Sequence, residues 1–142
     1  MVNQHKKNRV YLSLAKEWSS LSRAKRRKVG CLVVRDNQII SDGYNGTPSG
    51  FPNACEGKDG LTLPSVLHAE SNAISKLARS TQSSEGSVLY TTLAPCFDCA
   101  KLIIQAGIKK VCYLDDYTSS DGLDILKEAN IRVVRFVPDP PE

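Results

Sequence analysis

Two short segments of this chain hold residues whose types and spacing could do chemistry, His68-Ala69-Glu70 and Pro95-Cys96-Phe97-Asp98-Cys99. One imidazole nitrogen and two thiolates form a borderline-to-soft donor set that suits zinc. Three protein ligands leave one position of a tetrahedral ion open, which separates a catalytic zinc from a closed structural one. Zinc lowers the pKa of water toward neutrality, so the metal ligands are read as His68, Cys96 and Cys99, one catalytic ion per chain. Glu70, two residues past the histidine, is read as the catalytic group that carries protons.

These parts suit hydrolytic removal of an amine from a pyrimidine ring. Hydroxide adds to the ring carbon bearing the amine, the neighbouring ring nitrogen accepts a proton, and the amine accepts another before it leaves as ammonia. Each half of the pattern has a plainer reading by itself. A lone H-x-E is a helix start with a solvated glutamate, and a lone C-x-x-C is a redox pair or half of a four-cysteine zinc site. No second C-x-x-C occurs, and a redox pair would explain neither His68 nor Glu70. The joint pattern H-x-E…P-C-x-x-C is the signature of zinc deaminases.

Both segments must open helices for this chemistry, because helix N-termini present unpaired N–H groups and favour thiolate over thiol. Periodicity supplies those helices. Residues 68–79 read as a helix with Ala73, Ile74, Leu77 and Ala78 on its apolar face, and residues 97–106 as one ending at Gly107. Ahead of them, residues 10–21 read as an amphipathic helix facing inward through Val10, Leu14, Trp18 and Leu21. Residues 29–34 and 38–43 read as a hairpin turning at Asp36-Asn37. Residues 43–60 form a glycine- and proline-rich loop. Strands are expected at 87–93, 110–114 and 131–137, with a helix at 122–129 between the last two. Helices alternating with apolar strands imply right-handed crossovers and partly parallel pairing. The expected architecture is a three-layer α/β/α fold on a five-stranded mixed sheet, one domain over 1–142, with an extended tail at 138–142.

Composition is that of a globular chain: 41% of residues are hydrophobic and 24% charged, near the usual proportions. No apolar run is long enough for a membrane span, and the basic N-terminus lacks a signal-peptide core, so a cytoplasmic location is expected, with the nucleus as the alternative. Five cysteines, an odd number, argue against a disulfide framework. Cys31 and Cys112 read as buried small hydrophobes. Five of the six residues from Arg23 to Lys28 are basic, a cluster that attracts phosphate or forms a solvated turn.

From the hairpin to the last strand the sequence resembles the deoxycytidylate (dCMP) deaminases of the cytidine deaminase superfamily. The resemblance lies in Gly43-Tyr44-Asn45-Gly46-Thr47-Pro48, in His68-Ala-Glu-Ser-Asn-Ala-Ile with Ser71 as a departure, and in Thr92-Leu-Ala-Pro-Cys-Phe-Asp-Cys-Ala-Lys followed by Gln105-Ala-Gly-Ile-Lys. It implies conversion of dCMP to dUMP with release of ammonia. It also implies a sugar contact at Asn45, where the residue type alone would suggest a turn with positive φ. Ser22, Arg26 and Arg27 are implied at the phosphate, with Ala69 and Tyr117 also lining the nucleotide site. A homo-oligomer, in the family a hexamer, is implied, with Arg79 near its interface. Regulation by dCTP and dTTP at Gly43, Tyr44 and Gly46 is implied too, with Mg2+ accompanying such a triphosphate. Relatives carry a second, structural zinc that uses a cysteine at the position of Ala24 and a longer insert before the His-Ala-Glu segment. Ala24 cannot ligate, so a second zinc is not expected here.

The alternatives are of three kinds. A triphosphate, dCTP, could fit beside Arg26, Arg27 and Lys28. A nucleic-acid base deaminase would use the same cluster, but polynucleotide tracks add stacking aromatics, and none lies within residues 23–28. A non-catalytic nucleotide-binding module would not need Glu70.

Overall fold

The computed structural model describes residues 3–138. It contains α1 (Gln4–Ser19), β1 (Gly30–Arg35), β2 (Gln38–Tyr44), α2 (Ala69–Ala78), β3 (Val88–Leu93), α3 (Phe97–Gln105), β4 (Lys110–Asp115), α4 (Asp121–Glu128) and β5 (Arg132–Arg135). The sheet runs β2-β1-β3-β4-β5, antiparallel across β2/β1 and β1/β3, then parallel across β3/β4 and β4/β5. The five-stranded mixed sheet expected from the sequence is present.

Alternation along the strands divides the core into two layers. Cys31, Val33, Leu89 and Val111 face α2, α3 and α4, whereas Leu32, Val34, Tyr90 and Cys112 face α1. The hairpin turns at Asp36 and Asn37, both at positive φ (52° and 61°), as the tight turn of a right-twisted hairpin requires. Gly107, at φ 77°, closes α3. Cys31 and Cys112 are fully buried.

Helix α1 departs from expectation in both its start and its face. It begins at Gln4 because the Asn3 side chain caps it, accepting from Lys6 N–H at 2.8 Å, a signal the apolar spacing overlooks. Val10 and Leu14 are 44% exposed and Leu21, beyond the helix end, 50%. Asn8, Leu12 and Ala15 face the sheet instead. A buried tyrosine hydroxyl needs a polar partner, and Tyr90 donates to Asn8 Oδ1 at 2.8 Å. That demand turns a polar side chain inward. In the same way Ala78 lies exposed, and the buried stripe of α2 is Ala69, Glu70, Ala73 and Leu77. The last strand stops at Arg135, although Phe136 still donates its N–H to Tyr113 O at 2.8 Å. Of the expected tail, 139–142 lie outside the described residues.

Topology gathers the chemistry at one end of the sheet. Because β1 runs against β3, the segment before β1 lies beside the C-terminal ends of β2, β3 and β4. In α/β sheets the carboxyl ends of parallel strands are where crevices open.

Candidate metal centre and pocket

The histidine and one of the two cysteines occupy places where a capping residue would ordinarily stand. His68 is the N-cap of α2 and Cys96 the N-cap of α3, and neither side chain makes a capping bond. Their side chains turn toward each other instead. His68 Nδ1 lies 3.4 Å from Cys96 Sγ and 3.3 Å from Cys99 Sγ. Two ligands on one tetrahedral zinc, at ordinary Zn–N and Zn–S lengths, stand roughly 3.5 Å apart. All three donor atoms fall within 4.8 Å of one another, the one such group among the described residues.

Charge favours a cation at this spot. The Cys96 thiol is driven down to about 4, first by the hydrogen bond from the Cys99 thiol and also by His68. Cys99 keeps the proton, pushed up by that same contact and by burial. His68 is raised chiefly by its bond to Cys96. Two thiols and an imidazole thus compete for protons, and a divalent cation relieves that competition by holding both sulfurs as thiolates. The donor set, its separations and its charge all fit zinc.

Glu70 sits on the core stripe of α2, only 4% exposed. Burial pushes its carboxyl pKa up, and contacts with Cys99, His68 and Thr91 oppose that rise. Thr91 on β3 donates its hydroxyl toward Glu70 Oε1 at 3.1 Å and toward Leu93 O at 2.9 Å. A solvated glutamate at a helix start, the plain alternative for H-x-E, is not what is found.

Glycines set how closely these elements approach. A Cβ on Gly43 of β2 would stand 2.2 Å from Ala69 O at the first turn of α2. A Cβ on Gly122 of α4 would stand 2.2 Å from Pro95 O and 2.9 Å from Cys96 C. Each half of the centre is therefore seated against a glycine. Gly122 drew no notice in the sequence, because its partner Cys96 is distant along the chain.

A pocket of about 390 Å³ opens over the cluster. Its floor is His68, Ala69, Glu70 and Cys96, and its walls include Asn45, Leu93, Ala94 and Tyr117. Arg26 and Arg27 stand at its rim with Glu56 and Asp116. Arg27 is paired with Asp115, Nη2 to Oδ2 at 2.8 Å. Asn45 latches the segment before β1: its Oδ1 accepts from Val29 N–H at 2.9 Å and its Nδ2 donates to Arg27 O at 2.8 Å. Asn45 does not have the positive φ of a turn residue.

Other expected site residues lie elsewhere. Ser22 is buried away from the pocket, its hydroxyl donating to Asn45 O at 2.8 Å and accepting from Ala24 N–H at 3.1 Å. That hydroxyl shapes the loop and does not face the pocket. Tyr44 and Gly46 border a second pocket of about 280 Å³ with Arg23 and Asn45. Gly43 is occupied in packing, and Arg79 is the exposed C-cap of α2.

Known proteins resemble this chain in sequence and fold. A family model described as the cytidine and deoxycytidylate deaminase zinc-binding region matches residues 5–115. The chain is 34% identical over 136 residues to a deoxycytidylate deaminase of Saccharomyces cerevisiae, covering 89% of this chain and 43% of that one. To the human deoxycytidylate deaminase it is 37% identical over 120 residues, 76% of this chain and 66% of the relative. It thus spans less than half the length of the yeast relative. Among solved structures, a dCMP deaminase from the cyanophage S-TIM5 in complex with dCMP and dUMP superposes with a TM-score of 0.91 at 46% identity, covering 95% of this chain and 99% of that one. A tRNA A34 deaminase structure, at 20% identity and a TM-score of 0.63, shares the fold.

Proposed function

Because the chain belongs to the cytidine and deoxycytidylate deaminase family, we propose that it hydrolyses dCMP to dUMP and ammonia. The observation that carries this reading is a buried carboxylate, Glu70, beside a His68–Cys96–Cys99 cluster on the floor of a pocket with arginine at its rim. Zinc held by those three ligands supplies the Lewis acidity that makes water nucleophilic near neutral pH. Glu70 takes a proton from water at its carboxylate oxygen and delivers it to the ring nitrogen beside the amine-bearing carbon. The carboxylate, deprotonated again, takes the second proton from the hydroxyl now on that carbon and passes it to the amine, so the carbon–nitrogen bond breaks, ammonia leaves and the carbonyl forms. Burial helps here: a carboxylate with a raised pKa takes a proton from water more readily than a solvated one, and lies nearer the pH at which proton transfer in both directions is efficient. Thr91 holds the carboxylate in place through its hydroxyl.

Substrate orientation falls to the walls. Asn45, fixed by four hydrogen bonds through its main chain and side chain, lies where the sugar would pass, and Tyr117 flanks it. Arg26 faces the phosphate. Arg27 reaches it only in exchange for Asp115, which favours a single phosphate over three. The pocket bordered by Tyr44 and Gly46 is where a dCTP or dTTP effector would sit in an oligomer.

The test is a side-by-side assay of the zinc-loaded protein on dCMP, dCTP, deoxycytidine and a cytosine-containing single-stranded oligonucleotide, following uracil formation. The reading expects turnover of dCMP well above deoxycytidine and above dCTP. Activity on the oligonucleotide alone would assign the basic segment to nucleic acid and overturn it.

A further inference from the structure

Residues 22–29 belong to no helix or strand, so their main-chain N–H groups must find partners outside regular structure. Five of the six side chains from Arg23 to Lys28 are cationic. One carboxylate, Glu56, reaches this segment from the loop before α2. In such company a carboxylate ordinarily pairs with a guanidinium, which offers two parallel donors. Glu56 bonds to main chain instead. Lys25 N–H donates to its Oε1 at 3.2 Å and to its Oε2 at 3.0 Å, and Arg26 N–H donates to Oε2 at 3.2 Å. The Arg26 guanidinium, meanwhile, enters no hydrogen bond or ion pair among the described residues.

Glu56 is itself held firmly. It bridges to Thr62, and Gly57 N–H to Leu61 O at 2.9 Å and Leu63 N–H to Cys55 O at 2.8 Å close the small loop around it. From the other side, Asn45 grips the main chain at Arg27 and Val29. The basic segment is therefore clamped at both ends of Arg26, by a carboxylate on one side and an amide on the other. Arg26 and Glu56 both line the pocket.

We propose that Glu56 is a positioning residue for phosphate recognition, its carboxylate fixing the Lys25–Arg26 main chain so that the Arg26 guanidinium stands unpaired at the rim for a phosphate monoester. The proposal rests on the nucleotide reading above. Fixing the segment beforehand removes an ordering cost that binding would otherwise carry. The carboxylate's own charge is met by two N–H donors through three contacts, which limits its repulsion of the incoming phosphate.

Glu56→Gln keeps the shape and removes the charge, and Glu56→Ala removes the clamp. Steady-state kinetics on dCMP and on deoxycytidine, zinc content, and hydrogen–deuterium exchange of the peptide spanning residues 22–29 are measured for both variants and the parent. The expected result is faster exchange in that peptide, a KM for dCMP raised about tenfold in Glu56→Ala and less in Glu56→Gln, with kcat and zinc content kept. The kcat/KM for deoxycytidine, which has no phosphate to place, stays within about twofold. A KM for dCMP that is unchanged or lower in Glu56→Ala overturns the proposal. Equal losses on both substrates also overturn it, because they describe a residue that supports the whole pocket. Should the parent itself fail to prefer dCMP to deoxycytidine, the phosphate reading fails first, and that is read from the parent alone.

Discussion

Gly43→Ala tests whether the metal centre depends on how closely β2 approaches α2. The added Cβ would lie 2.2 Å from Ala69 O, 2.9 Å from Ala73 N and 3.2 Å from Ala73 Cβ. Ordinary van der Waals contact begins near 3.4 Å, so the first turn of α2 must retreat by about 1 Å, more than a core relaxes without strain. Ala69 stands between His68 and Glu70, so the displacement shifts both relative to Cys96 and Cys99. Metal sites tolerate about 0.2 Å in their ligand distances, and a misplacement of about 1 Å at a reacting group costs on the order of 100-fold in rate. Overpacking of this kind costs about 1–3 kcal/mol, a fall in Tm of roughly 4–12 °C for a chain of this size. The variant should show lower zinc per chain by atomic absorption, turnover of dCMP down about 100-fold, and a lower thermal midpoint. Gly46→Ala is the control, because its Cβ would meet only Tyr44 Cε2, at 3.9 Å, and parental behaviour is expected. Gly43→Ala with parental zinc content, turnover and Tm would refute the reasoning.

Further expectations concern the proton shuttle, the metal ligands and the buried Tyr90 beneath α1. Glu70→Gln should retain zinc and lose dCMP turnover by about 10²-fold to 10⁴-fold; near-parental turnover would remove Glu70 from proton transfer. Cys99→Ala should lose both zinc and activity, and full occupancy by metal analysis would take Cys99 out of the ligand set. Burial pushes the Tyr90 phenol up to about 12 from 10.0. The folded state thus holds a proton that the unfolded chain releases, so this contribution to stability is whole below pH 10 and lost between pH 10 and 12. Tyrosinate absorbance should show a late step that Tyr90→Phe abolishes; the same late step in that variant would assign it to another tyrosine.

The ligand types and the order of elements were legible in the chain because both are local. His68-x-Glu70 and Cys96-x-x-Cys99 carry their spacing with them, and each begins a helix whose periodicity continues for two or three turns. The hairpin at Asp36-Asn37 needs only two residues to specify it. Glu70 could have been read as buried too, since it falls on one helical stripe with Ala73 and Leu77. A count of apolar residues skips it because it is charged.

The inward face of α1 was not legible. Val10, Leu14 and Leu21 recur at helical spacing, yet the hydroxyl of Tyr90, 82 residues from Asn8, decides which side of the helix is buried. Ser22 was likewise implied at the phosphate by the family resemblance, but its hydroxyl is occupied by Asn45 O and Ala24 N–H. The division of labour between Arg26 and Arg27 depends on Asp115, and the clamp on Arg26 depends on Glu56. The sequence by itself determined which donors and which carboxylate the protein brings to the site. Only the tertiary structure decided which of them meet and which side chains remain unpaired, because hydrogen-bond partners and close glycine contacts are set by pairs of segments far apart in the chain.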